Sequence, residues 1–178
     1  MAPVKISFND LVVKASAMAL RQHPEVNASW LDNVIRYYDH IHIGMAVAVD
    51  EGLVVPVIRF ADGKPLSVIA AESNELADKA RSRNLTTEEM QGNTFSISNL
   101  GMMGIEEFTA VINPPDSCIL AVGGINPEVY LDEGGNPKQR QIMRVTLSCD
   151  HRVVDGAVGA RFLQTLKSYL EDPVRMLI

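Results

Sequence analysis

Short apolar runs alternate along this chain with longer amphipathic ones, and that alternation confines it to folds in which helices and strands share one core. Thr94 to Ser98 and Ser117 to Val122 are brief and free of charge, as buried strands require. Ile41 to Val49 and Leu53 to Phe60 are β-prone runs joined by Asp50-Glu51-Gly52, so they are read as a hairpin. Pro56 inside the second run belongs at an edge, a bulge or a non-bonding position. Glu128 to Leu131 is expected to pair with Gln141 to Cys149 across the loop-forming cluster Asp132-Glu133-Gly134-Gly135-Asn136-Pro137.

Helical patterns fill the intervals. Ser7-Phe8-Asn9-Asp10 has the shape of a capping box, and Leu11, Val12, Ala15, Met18 and Ala19 recur at helical spacing until His23-Pro24. Leu66 to Arg83 predicts a second helix, Thr86-Thr87-Glu88-Glu89 the start of a short third one, and Asp155 to Leu170 an amphipathic helix near the end. Repeats and linker-like stretches are absent. With 47% hydrophobic and 21% charged residues, the 178-residue chain can bury one sizeable core, so it is read as a single α/β domain.

Charge narrows the partners. The formal net charge of −6 comes from acids spread along the chain, which gives no nucleic-acid surface and no polybasic membrane patch. No apolar stretch approaches the roughly 20 residues that span a bilayer. Small molecules and other proteins are the expected partners. Cys118 and Cys149 lie in apolar runs without metal-ligand spacing, so they are read as buried reduced thiols, as in a reducing compartment.

Two stretches carry chemistry. Ser148-Cys149-Asp150-His151-Arg152-Val153-Val154-Asp155-Gly156 sets a histidine between two carboxylates, after a strand-like run and before a helix. Histidine, with an unperturbed pKa near 6.5, is the side chain suited to general-base work near neutrality. The other stretch is Gly92 to Gly104, in which Ser98 ends a β-prone run and enters a glycine-bearing turn, where a hydroxyl can leave the sheet and face a cleft. Ser96 should face the same side, because strand side chains alternate. Asp155 stands where a carboxylate caps the amides of the last helix. His40 and His42 flank Ile41 and lack a nearby third ligand, so no metal is expected there.

Taken in order, Thr94-Phe95-Ser96-Ile97-Ser98-Asn99-Leu100-Gly101, Ile112-Asn113-Pro114-Pro115 and Asp150-His151-Arg152-Val153-Val154-Asp155-Gly156 resemble the catalytic core of the dihydrolipoamide acyltransferases of 2-oxo acid dehydrogenase complexes. The resemblance runs over essentially the whole chain. Ser98 to Ile105 is most similar to the pyruvate-complex branch, which points to an acetyl group. The resemblance implies a two-layer fold like chloramphenicol acetyltransferase, with a mixed sheet and packed helices, in homotrimers that assemble into larger cages. It also implies coenzyme A as a substrate, a lipoyl group carried on another domain, and no metal.

On the same resemblance, His151 takes the position of the general base and Ser98 that of the serine that stabilises the oxyanion, the two coming from different subunits. Asp155 completes the site by orienting the turn. Lipoyl domains and the decarboxylase and dihydrolipoamide dehydrogenase components are the implied partners, in a bacterial cytoplasm or a mitochondrial matrix. The resemblance leads one to expect that residues 1–178 are the catalytic domain without the family's N-terminal segment, and with no lipoyl or peripheral-subunit-binding domain. Met176-Leu177-Ile178 is expected to dock into a neighbouring trimer. A non-catalytic scaffold of the same cage is the alternative reading, and His151 and Ser98 together count against it. A condensation-type enzyme with a His-His-X-X-X-Asp-Gly signature is disfavoured by Asp150 in the place of the first histidine.

Overall fold

The computed structural model describes residues 5–50 and 52–176. Helix α1 (Phe8–Gln22) opens on the expected capping box: the Asp10 N–H donates to Ser7 Oγ, and the Asp10 carboxylate accepts from the Ser7 N–H at 2.7 Å. It ends at His23, whose Nε2 lies 2.8 Å from Thr165 Oγ1. Its buried Lys14 donates to the carbonyls of Asp62 and Lys64, and burial holds the ammonium below the ordinary lysine pKa. A hairpin of β1 (Ala28–Leu31) and β2 (Val34–Tyr37) follows. Its local sequence gives no hairpin signal, because Trp30-Leu31-Asp32-Asn33 shows neither a clean alternation nor a glycine turn.

The main sheet is built from β3 (Ile43–Val49), β4 (Gly52–Val54), β5 (Val57–Ile58), β6 (Phe95–Asn99), β7 (Cys118–Leu131) and β8 (Pro137–Cys149). Its order is β4-β3-β6-β7-β8, with β5 also on β3; β3, β6 and β7 run parallel, and the remaining pairs are antiparallel. The expected hairpin over 41–60 is present, and its second arm breaks at Val55-Pro56 into two short edge pieces. Helix α2 (Leu66–Arg81) matches its pattern, whereas Glu88–Met90 forms one 3₁₀ turn in place of a third α-helix. Helix α3 (Gly156–Glu171) closes the domain.

The β7–β8 pairing corrects the expected register. Glu128 to Leu131 face Arg140 to Pro137, and the inner half of β8 faces the inner half of β7, ending with Cys118 opposite Cys149. One continuous ribbon replaces two separate strands because the loop at 132–136 is tight: Asp132 N–H donates to the Asn136 carbonyl, and its carboxylate accepts from the N–H groups of Gly134 and Asn136.

Strand alternation divides the molecule into two layers. Ile43, Met45, Phe95, Ile97, Leu120 and Val122 share one sheet face and form the core with Val12 and Leu20 of α1, Ile69 and Leu76 of α2, and Phe162 and Leu166 of α3. Phe95 and Phe162 are fully buried with ring centroids 5.5 Å apart, and burying each contributes about 1.5–3 kcal/mol. Met176, expected in a neighbouring trimer, is instead buried in this core; Leu177 and Ile178 lie outside the described residues.

The opposite face carries small and hydroxyl side chains. Gly44, Ser96, Ile119 and Ser148 stand level in one row, and Ala46, Ser98, Ala121 and Thr146 in the next. The segment between β6 and β7 folds back over the first row. Ser148 Oγ donates to the Ala110 carbonyl at 2.7 Å, and Asp116 Oδ2 accepts from Ser96 Oγ at 2.6 Å and Asn93 Nδ2 at 2.5 Å. Asp116 is buried, and burial pushes its carboxyl up to about 6 against those two hydrogen bonds.

A carboxyl whose pKa is higher folded than unfolded binds its proton more tightly in the native state, so its contribution to stability falls as pH rises through that interval. Relative to Asp116→Asn, the wild-type protein should therefore lose about 3 kcal/mol of stability between about pH 4 and pH 7, at 1.36 kcal/mol per pKa unit. Urea unfolding of both proteins across that range measures the difference, and a pH-independent difference contradicts it.

Candidate active site

Ser98 stands one residue before the end of β6, with Ala46 level on one side and Ala121 on the other. Methyl neighbours leave headroom above its hydroxyl, and among the described residues that hydroxyl has no side-chain hydrogen-bond partner. Ser96 faces the same side, as expected, but its hydroxyl is committed to Asp116. One serine of the pair therefore closes the structure, and the other is left to act.

The turn after β6 is fixed by the Asn99 side chain. Asn99 Oδ1 accepts from the Gly101 N–H at 2.9 Å, and Asn99 Nδ2 donates to Asn9 Oδ1 of α1 at 3.0 Å. Gly101 and Gly123 let this turn press against β7: a Cβ on Gly101 would lie 2.7 Å from the Gly123 carbonyl oxygen, and one on Gly123 would collide with the Glu106 carbonyl. The result is a cleft of about 700 Å³ whose lining includes Phe8, Asn9, Leu53, Ser98, Met102 and Met103. Met102 and Met103 are largely exposed at its rim, so they line the cleft and do not fill a core.

His151 lies at the other end of the sheet, at the exposed apex of the turn between β8 and α3. Asp150 builds that turn: its N–H donates to the Ser117 carbonyl at 2.7 Å, its carbonyl accepts from the N–H groups of Val153 and Val154, and its carboxylate accepts from the backbone and guanidinium of Arg152. The guanidinium holds the Asp150 carboxyl below the ordinary aspartate range. Arg152 also lies over the Trp30 ring, 5.2 Å from its centroid, while Val154 is fully buried beneath. The imidazole itself has no hydrogen bond or ion pair among the described residues. Asp150 and Arg152 thus stiffen a support from which the His151 imidazole projects without a hydrogen bond of its own.

Asp155 is the N-cap of α3, with Oδ1 accepting from the Ala157 N–H at 2.8 Å and the Val158 N–H at 2.9 Å. Those bonds, with Val158 foremost, hold its carboxyl below the usual range. Its position explains its chemistry in this chain: it fixes where α3 begins, and with it the far end of the His151 turn.

One chain does not bring Ser98 and His151 together. The His151 turn hangs from Ser117, which lies four residues before Ala121, the neighbour of Ser98 on β7. At roughly 3.3 Å per residue that is about 13 Å along the strand, and His151 does not line the Ser98 cleft. A base and an oxyanion donor that act on one thioester must both lie within hydrogen-bond reach of it. Within one chain, Ser98 and His151 do not meet that requirement.

His40 and His42 precede β3 and do not lie on it; their rings stack at 6.0 Å, and His42 Nδ1 accepts from the Phe60 N–H at 3.0 Å. Burial lowers the His42 pKa, as suits a neutral acceptor. Asn9, Asn99, Trp30 and Asp116 all support the two motifs and escaped the sequence reading. Asn99 and Asp116 carried a signal, Asn99 lying inside a quoted motif and Asp116 directly after one, whereas the contacts of Asn9 and Trp30 span distant segments.

The whole chain, residues 1–178, matches the family described as 2-oxoacid dehydrogenases acyltransferase (catalytic domain). It is 50% identical over 175 residues to the mitochondrial dihydrolipoyllysine-residue acetyltransferase component of the pyruvate dehydrogenase complex of Caenorhabditis elegans, covering 98% of this chain and 34% of that protein. The corresponding component from Rickettsia bellii is also 50% identical, over 98% of this chain and 41% of its own length. The chain thus spans about a third to two fifths of these relatives.

Among solved structures, the cubic core of the pyruvate dehydrogenase multienzyme complex superposes with a TM-score of 0.93 at 39% identity, over 99% of this chain and 73% of that one. A dihydrolipoamide acetyltransferase from Azotobacter vinelandii, studied for the roles of a serine, a histidine and an asparagine in its catalytic mechanism, gives 0.93 at 38% identity over the same shares. Chloramphenicol acetyltransferase, at 18% identity and a TM-score of 0.58 over 92% of this chain and 78% of its own, shares the fold.

The cap geometry yields a direct expectation. Asp155→Ala should destabilise the domain by about 1 kcal/mol, and Asp155→Asn, which still accepts from Ala157 and Val158, by a few tenths. Thermal unfolding of the three proteins distinguishes this from a purely catalytic aspartate, for which neither substitution would shift the melting temperature.

Proposed function

The chain belongs to the family of 2-oxoacid dehydrogenase acyltransferase catalytic domains, and from that premise we propose that it transfers an acyl group, acetyl in the first instance, between dihydrolipoamide and coenzyme A. The observation that carries the reading is the pairing of two uncommitted groups, the Ser98 hydroxyl over its cleft and the His151 imidazole on its braced turn, at opposite ends of one sheet. Two copies placed side by side make one centre from the His151 of one and the Ser98 of the other.

In that centre His151 removes the proton from the coenzyme A thiol. The thiolate attacks the thioester carbonyl of the acyl-dihydrolipoyl group, and Ser98 Oγ–H donates to the oxygen that becomes negative. The tetrahedral intermediate collapses with loss of the dihydrolipoyl sulfur, which takes back the proton from His151. No bond to the protein forms at any step, since a thioester is already activated. Asp155 positions the turn through its cap; in the Azotobacter enzyme the histidine and asparagine that were studied are four residues apart, the interval that separates His151 from Asp155.

The same reading places this domain in homotrimers within a larger cage, and the likeness to a cubic pyruvate dehydrogenase core supports it. The lipoyl group arrives on a separate lipoyl domain, charged by a decarboxylase and reoxidised by dihydrolipoamide dehydrogenase, in a bacterial cytoplasm or a mitochondrial matrix. About 700 Å³ of cleft beside Ser98 gives one reactant a place to enter.

A thiol-release assay with acetyl-coenzyme A and dihydrolipoamide tests the assignment. His151→Ala should lose about 10² to 10⁴ in kcat, the usual span for a general base. Ser98→Ala should lose about 10² to 10³ with little change in KM, as for a single oxyanion donor. Either variant within tenfold of wild type removes its residue from the mechanism, and an acyl group trapped on Ser98 makes it a nucleophile instead.

A further inference from the structure

The two cysteines of this chain are directly opposed across the β7–β8 ribbon, Cys118 on one strand and Cys149 on the other. The adjoining pair is Ser117 and Asp150, and the Asp150 N–H donates to the Ser117 carbonyl at 2.7 Å. Hydrogen-bonded and non-hydrogen-bonded pairs alternate along an antiparallel ladder, so Cys118 and Cys149 form a non-hydrogen-bonded pair. That is the close kind, with Cα atoms about 4.5 Å apart, inside the roughly 4.4–6.8 Å range of disulfides. Both side chains point to the helix-covered face, and both are free thiols.

We propose that Cys118 and Cys149 are an oxidisable dithiol, a site at which a peroxide closes a cross-strand disulfide at the base of the His151 turn. The inference is independent of the acyl-transfer reading. Cys118 is fully buried and Cys149 only partly so, and on that difference the proposal assigns the first oxidation to Cys149. Its environment agrees: the hydrogen bond between the two thiols raises the pKa of Cys118, with burial adding to the rise, and lowers that of Cys149.

The chemistry balances with peroxide as the oxidant. The Cys149 thiolate attacks one peroxide oxygen and breaks the O–O bond, giving a sulfenic acid and hydroxide. The Cys118 sulfur then attacks Cys149 Sγ, the S–O bond breaks, and the oxygen departs as water with the proton from Cys118. Overall two thiols and one hydrogen peroxide give one disulfide and two waters. The α3 backbone passes close to this pair: a Cβ built on Gly159 would lie 3.3 Å from Cys149 Sγ.

The assembled, reduced protein exposed to hydrogen peroxide, then quenched with N-ethylmaleimide and digested without reductant, decides the matter by mass spectrometry. The expected product is a peptide pair joining Cys118 to Cys149 within one chain, about 2 Da lighter than the two thiol peptides together and separated again by dithiothreitol. In Cys118→Ser the cross-link should vanish and dimedone should label Cys149 at least tenfold more than in wild type. The proposal is overturned if both wild-type cysteines stay alkylatable after unfolding, if Cys149 accumulates as sulfinic acid without a cross-link, or if the disulfide joins separate chains. Far-ultraviolet circular dichroism of Cys118→Ser checks its fold, and the wild-type result stands without it.

Discussion

Strand β6 is hydrogen-bonded in parallel to β3 on one side and β7 on the other, and most of what this domain does depends on that double pairing. A strand held on both edges cannot slip by one residue without turning every side chain to the wrong layer. Its odd positions, Phe95 and Ile97, are therefore committed to the core beneath the helices, and its even positions, Ser96 and Ser98, to the opposite face. The apolar free energy that fixes the register also fixes the position of the candidate oxyanion donor. Ser98 needs no partner of its own to be placed.

The histidine end follows a different logic. There is little apolar burial at the apex of a turn, so the support is polar: Asp150 spends its backbone on Ser117, Val153 and Val154 and its carboxylate on Arg152, while Asp155 caps α3. Buried Val154 anchors the segment from below. Each of these groups is satisfied within the turn, which leaves His151 as the residue with an uncommitted side chain. The proposed acyl transfer is a chemistry in which a free base and a free hydroxyl are wanted together.

Much of this was legible in the residues. The capping box at Ser7 and Asp10, the β6 alternation and the Asp155 cap all depend on neighbours in sequence, and each appears where its local pattern places it. Legibility failed where the cause is distant. The β1–β2 hairpin is fastened by Tyr38 and Ser29 contacts and by a bridge from Ser29 to Asp116, none of which a local pattern encodes. The β7–β8 register is set from the tight turn at 132–136 outward, so pairing the apolar half of β8 with 128–131 matched the composition and missed the geometry. The buried Asp116 network and the opposed cysteines were invisible for the same reason. The remoteness of Ser98 from His151 followed from register alone, once the strands were known.

The central claim is that one catalytic centre takes its base and its oxyanion donor from different copies of the chain. Mixing the His151→Ala and Ser98→Ala proteins under conditions that dissociate and reassemble the oligomer tests it without reference to any single variant's defect. If each centre draws the two residues from neighbouring copies, a 1:1 mixture should recover about a quarter of wild-type activity, because one contact in four joins an intact His151 to an intact Ser98. Activity that stays at the level of the two separate variants, in reassembled oligomers of the wild-type size, would place both residues in the same chain's centre and contradict the account.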